Sequence, residues 1–243
     1  MPFENFLYLE RKQWQYELLI HWRENCDAMF LGHFGLALAA KKIAPKASLG
    51  TLVFSAQLAD LLWPIFLLLG WEQARIVPGN IRVTPLEFIS YPYSHSLVAL
   101  LLWGLAVGIA YFMVRRDVRG ALIALVLVPS HWLLDYVAHR RDLPVIPGGE
   151  HYGLGMWNSL ALTLVIEFAI FAVGIAMYLN TTRAKDRAGV YALWSLLIFL
   201  SVVYLASVFG SAPPNVHVLA LAGLLIWLTV PWAAWADRHR PLS

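Results

Sequence analysis

The chain has 243 residues, 60% of them hydrophobic and only 14% charged, with a formal net charge of +3 and a mean hydropathy of +0.63. A soluble domain of this composition would be covered in apolar surface, so the sequence is that of a polytopic membrane protein. The basic balance does not indicate nucleic acid, because Lys and Arg gather in short loops between apolar runs; with Cys26 as the only cysteine, an internal disulfide and a thiolate zinc motif are both excluded.

Residues 1–28 mix Glu10, Arg11, Lys12, Glu17, Arg23 and Glu24 among aromatics, which does not form the single apolar run of a cleavable signal peptide. They are expected to be an N-terminal extension: either an interfacial helix with Leu7, Trp14, Leu18 and Trp22 on its apolar side, or an upstream start to a protein that begins at Met29. Residues 29–243 are expected to form a single transmembrane domain. Residues 28–40 are apolar but too short for a full span, which needs roughly 20 residues, and are expected to be a shallow, tilted or re-entrant helix. Spans follow at 47–70, 95–114, 120–139, 157–179, 190–209 and 216–235. The expected fold is all-α, a transmembrane helix bundle of six spans plus the short N-terminal seventh helix. Loops 71–92 and 140–156 are rich in Pro, Gly and aromatics, as in Val77-Pro78-Gly79-Asn80, and are expected to be ordered turns able to cover a site from above. No internal repeat supports an inverted-repeat transporter.

Orientation follows from the basic loops. Lys41, Lys42, Lys46, Arg115, Arg116, Arg119, Arg183, Lys185, Arg187, Arg238 and Arg240 fall at one set of span ends, against Arg75, Arg82, Arg140 and Arg141 at the other. The first set marks the cytoplasmic face, so the C-terminus is expected in the cytoplasm.

Ionisable residues inside the spans are costly, about 2.5–3.5 kcal/mol each at mid-bilayer on the insertion scale, and usually face partners within the bundle. Here they are Asp60, His95, His131, Asp135, His139 and Glu167, all toward the outer face. At 1.5 Å per residue, Asp60, His131 and Glu167 lie roughly 13–15 Å below the outer ends, with Asp135 about one turn higher. His33 lies on the same side if the short first helix enters from there. His131, Asp135 and His139 are spaced i, i+4, i+8 and so share one helix face. Imidazoles with carboxylates suit a divalent ion, zinc first, with manganese or iron also compatible. Such an ion would bring the pKa of a bound water to roughly 7, and a carboxylate outside the ligand set, best Glu167, could serve as general acid or base. Taken singly, each of these residues could instead cap or bond a neighbouring helix.

The series His33-Phe34-Gly35, Asp60 followed by Pro64, Ser94-His95-Ser96 and His131-Trp132-Leu133-Leu134-Asp135 resembles the bacterial inner-membrane family of membrane-bound metal-dependent hydrolases. The resemblance covers about residues 29–167. It implies a metal site made of His33, Asp60, His95, His131 and Asp135. The family often has a Pro-Asp pair in its second span, where this chain has Ala59 before Asp60.

The function expected is hydrolysis of an ester, phosphoester or amide of a membrane lipid or lipid-linked molecule in the inner membrane. His131, Asp135, His95 and His33 would hold the ion, Asp60 would be a ligand or orient one, and Glu167 would move protons. The alternatives are a transporter or permease using the same residues as an ion or proton site, and a structural membrane protein without metal. A ceramidase-like site is not expected, because the last span offers only His217.

Overall fold

The computed structural model describes residues 30–77 and 85–243, so the expectations for residues 1–28 lie outside them. The helices are α1 Leu31–Ile43, α2 Leu49–Ala56, α3 Leu58–Leu68, α4 Leu97–Arg115, α5 Val118–Ala138, α6 Leu160–Thr181, α7 Arg187–Phe209, α8 Val216–Gly223 and α9 Thr229–Arg238. A 3₁₀ segment, Leu224–Leu228, joins the last two into one run. Five stretches are long and apolar enough to cross a membrane: α4, α5, α6, α7 and Val216–Arg238. The pair α2–α3, bent by 56°, makes a sixth if it counts as one span. The chain is therefore an all-α, multi-pass membrane bundle.

Two antiparallel pairs were not anticipated within the loops. Strands β1 Gln73–Ile76 and β2 Leu86–Ser90 form one, and β3 Leu143–Pro144 and β4 His151–Tyr152 the other. Leu86 and Leu143 are buried on the site end of the bundle, whereas Ile89 and Tyr152 of the same strands are exposed.

Most long helices start at a polar cap. Ser96 accepts from the Ala99 N–H at α4, Ser159 from Leu162 at α6, Asp186 from Gly189 at α7, and Asn215 from Val218 at α8, each satisfying an otherwise orphan donor. The beginning of α1 is different. Its 13 residues span only about 20 Å, and nine of them are buried. Its C-terminal end is tied by Lys41, whose Nζ donates to Asp237 Oδ2 at 2.7 Å near the end of α9. Its N-terminal end stops short, inside the bundle, at the level of Glu167 on α6, about 10 Å along that helix from its start. There Glu167 Oε1 accepts the Phe30 N–H at 2.8 Å and Oε2 the Gly32 N–H at 2.7 Å. A helix start within the hydrocarbon depth exposes donors that lipid cannot satisfy, and a carboxylate there also meets the positive end of the helix dipole.

Close helix approach at glycine completes the placement of α1. A Cβ on Gly174 of α6 would lie 2.2 Å from the Gly35 carbonyl oxygen, and a Cβ on Gly35 would lie 2.7 Å from the Ile170 oxygen. Small residues permit such backbone contact between membrane helices. Gly104 plays the same part where α4 meets Leu125 of α5.

Replacing Glu167 by Leu should leave the Phe30 and Gly32 donors buried and unpaired, at about 1–3 kcal/mol each. Thermal unfolding in detergent should shift down clearly for Glu167→Leu and less for Glu167→Gln, which keeps one acceptor; an unchanged Glu167→Leu melting curve would show that the carboxylate does not anchor α1.

Candidate metal centre

Five side chains from four parts of the chain meet between α1, α2, α3 and α5. His33 comes from the first turn of α1 and Asp60 from the first turn of α3. His95 sits just ahead of α4, and His131 and Asp135 lie one turn apart near the end of α5. His33 Nε2 is 3.3 Å from Asp135 Oδ1, His131 Nε2 is 3.2 Å from Asp135 Oδ2, and His95 Nε2 is 3.5 Å from Asp60 Oδ1. Two longer approaches close the cluster, His131 Nε2 to Asp60 Oδ1 at 3.6 Å and His95 Nε2 to Asp135 Oδ2 at 3.9 Å.

These separations suit ligands around one ion. Bonds of about 2.0–2.2 Å at tetrahedral angles place neighbouring ligand atoms about 3.3–3.5 Å apart. Two triads, His33/Asp60/His131 and His95/His131/Asp135, each have ligand atoms within 4.8 Å of one another. The nitrogen positions are also fixed from behind. His131 Nδ1 lies 2.9 Å from the Ala56 carbonyl; a carbonyl only accepts, so Nδ1 carries the hydrogen and a neutral ring turns the Nε2 lone pair toward the cluster. That carbonyl sits at the 56° break between α2 and α3, at Gln57. The bend therefore exists with Ala59, not Pro, ahead of Asp60.

His95 is held by a relay that the sequence did not reveal. Ser94 Oγ donates to Glu72 Oε2 at 2.6 Å, and Glu72 Oε1 accepts the Tyr93 and Ser94 N–H groups, both at 2.8 Å. With its hydrogen spent on Glu72, Ser94 Oγ accepts from His95 Nδ1 at 2.7 Å, again leaving Nε2 for the cluster. Glu72 is buried although it lies in a loop, and its only sequence signal is an acid beside the end of an apolar run.

Buried polar atoms without partners mark the same point. His33 Nδ1 and Nε2 and His131 Nε2 have none among the hydrogen bonds of the protein. The His33 and His131 rings stack with centroids 3.6 Å apart and planes 4° from parallel, a contact that suits neutral rings, since two cationic ones would repel. As metal ligands the imidazoles would be neutral, and with the two carboxylates would offer charge −2 to a divalent cation. Asp60, His33, His95, His131 and Asp135 can thus hold a metal ion.

The other polar residues of the sequence reading lie elsewhere. Glu167 is outside the cluster, with both oxygens on α1. His139 shares a helix face with His131 and Asp135, but its Nδ1 pairs with Asp142 Oδ1 at 2.9 Å, and its ring lies against Trp157 and Phe88. His151 is in β4 and exposed.

The cluster is sealed on one side and open on the other. The side chains of His33, His95, His131 and Asp135 are 1–6% exposed, whereas that of Asp60 is 18% exposed. Asp60, His95, Asp135 and His139 form the polar end of a cavity of about 420 Å³ whose remaining walls are largely apolar, among them Trp63, Phe88 and Val203.

Set against known protein families, curated proteins and solved structures, the chain finds no match in any of the three, so its chemistry is argued from this geometry.

Proposed function

We propose that the protein is a metal-dependent hydrolase of the bacterial inner membrane, acting on an ester, phosphoester or amide of a lipid or lipid-linked molecule. The observation that carries the reading is the convergence of three imidazole Nε2 atoms on Asp60 and Asp135 at ligand spacing, with two of the rings fixed from behind by Ala56 and Ser94. The likeness of these five positions to the membrane-bound metal-dependent hydrolases agrees with it. Zinc suits the set best, with manganese or iron also compatible. The basic ends, including the C-terminus, are assigned to the cytoplasm, which puts the cluster in the outer half of the bilayer.

A divalent ion held there would polarise the scissile group and acidify water. The remaining work falls to the chain's own residues. Asp60, the carboxylate open to the cavity, is placed to accept a proton from attacking water. His139, held at Nδ1 by Asp142, lines the same cavity and is placed to donate a proton to the leaving oxygen or nitrogen. One water is consumed: its oxygen joins the carbonyl carbon or phosphorus, and the leaving group departs protonated. Glu167 is assigned the anchoring of α1 in place of proton transfer, because both its oxygens already accept N–H groups.

A transport relay would need polar steps from the cluster toward the basic end. Along α1 between His33 and Lys41, the buried side chains Phe34, Ala37, Leu38 and Ala40 are all apolar; beside it Ser55 and Gln57 are buried polar residues, with Ser55 bonded to the Thr51 carbonyl of its own helix, so a polar path along α1 is lacking and a reaction at the cluster is favoured.

Elemental mass spectrometry of the detergent-purified protein should find about one divalent ion per chain, lost in His131→Ala and Asp135→Ala. A folded wild type that takes up no ion from added zinc, manganese or iron would overturn the metal reading. If the ion binds but a panel of lipid esters, phosphoesters and amides is not turned over, hydrolysis falls instead.

Ser94→Ala and Glu72→Gln should weaken metal affinity by about 10–100-fold through loss of the group behind His95. Competition with a chromophoric chelator reads this, and wild-type affinity in both folded variants would sink the relay.

A further inference from the structure

The cavity below the cluster has walls whose placement says what occupies it. Its far side is made by Phe199 and Val203 of α7 and by Leu219, Leu225 and Ile226 of the last span. Phe199, Val203 and Leu225 are 37%, 36% and 58% exposed, within stretches long and apolar enough to cross the membrane. These residues thus line the cavity and face lipid at once. The reason is a divergence of two helices: α9 packs on α7, whereas α8 packs on α3, so the last span leaves α7 along its outer half. Between the two parts the span tightens into the 3₁₀ segment Leu224–Leu228, which supplies Leu225 and Ile226 to the wall. On the aqueous side, Leu86 and Phe88 of β2 close the cavity. What remains is a cleft open sideways to the bilayer, largely apolar along its length and with its carboxylates and imidazoles at the inner end.

We infer that this cleft binds a hydrocarbon chain of a membrane lipid, which passes in from the outer leaflet between α7 and α8 and sets the lipid's polar linkage against Asp60, His95 and Asp135. The volume, about 420 Å³, lies in the range of roughly 300–1,000 Å³ common to small-molecule sites. Ser207 and Thr229 also line the cavity, but each hydroxyl donates to a backbone carbonyl close by in sequence; the carboxylates and imidazoles stand at the inner end, so the lining orients the chain outward and the linkage inward. The lipid reading rests on the hydrolase proposal for its consequence, since an acyl chain so placed would make the lipid the substrate, but the binding itself does not.

The test uses the full-length protein in nanodiscs doped with a phospholipid that carries a photoactivatable diazirine in one acyl chain, followed by peptide mapping. Labelling is expected on the peptides that hold Phe199, Val203 and Leu225, above the level on α4 at Leu102 and Ile109, which face lipid without a cavity. The double variant Val203→Trp/Ala222→Trp, with a bulky ring on each lip, should lower cleft labelling about tenfold while metal content stays at the wild-type level. Labelling that is equal on α4 and in the cleft, or that the variant leaves unchanged, would overturn the inference. Cleft labelling without any hydrolysis would keep the binding site and sink the hydrolase reading; hydrolysis of a short-chain soluble ester without cleft labelling would do the reverse.

Discussion

Backbone groups set free inside the hydrocarbon region must find partners within the protein, because lipid offers none. Among the described residues, two helix interruptions adjoin the cluster, and both serve it. The start of α1 gives its N–H groups to Glu167, which holds His33 one turn further on. The break at Gln57 presents the Ala56 carbonyl to His131 Nδ1 and starts α3 so that Asp60 falls in its first turn. A pair of uninterrupted helices would have satisfied their own backbones and left nothing to aim these side chains. The site is built from the interruptions.

The opposite end of α1 is clamped as firmly. Asp237 accepts from Lys41 Nζ, from the Leu49 N–H at 3.1 Å, and from Tyr178 Oη at 2.9 Å, so one carboxylate joins α1, α2, α6 and α9. Arg240 then donates to Thr182 and to the Gly189 carbonyl, drawing the C-terminal segment onto the α6–α7 turn. With Glu167 at one end and Asp237 at the other, α1 cannot slide along the Gly35–Gly174 contact, and His33 stays at the height of Asp135. A helix of only 13 residues would otherwise have little to set its depth.

Much of this was legible from sequence because charge in a bilayer is expensive. The same cost that makes Asp60 and His131 conspicuous forces them to share a level, and the i, i+4 spacing of His131 and Asp135 fixes their common face. Depth is not direction, however. Glu167 sits at the expected height but turns toward the start of α1, because a helix end needs it more than the cluster does. His139 falls on the same helix face as His131 yet is drawn away by Asp142, three residues on, as the chain leaves α5. Glu72 was marked only by its place beside the end of an apolar run, where an acid is ordinarily solvated, and only the fold shows Ser94 between it and His95. The two short strand pairs escaped for a related reason: residues that read as turns are held by pairing across a loop whose ends the spans bring together.

The arrangement also separates two kinds of polarity within one bundle. At the basic end, Lys41 and Asp237 form a pair whose charges cancel, and their remaining bonds go to backbone and to Tyr178, so nothing is left over for a ligand. At the cluster the acids outnumber any fixed cation: no Lys or Arg is paired with Asp60 or Asp135 among the ion pairs of the described residues, and their neighbours are imidazoles whose Nδ1 hydrogens, on His95 and His131, point away. The imidazoles are the carboxylates' partners within the described residues, and a bound cation would offset carboxylate charge that no Lys or Arg meets. The Lys–Asp solution that the chain uses at its other end is not repeated at Asp60 and Asp135, which leaves a cluster that could hold an ion, with its open side turned to the cavity.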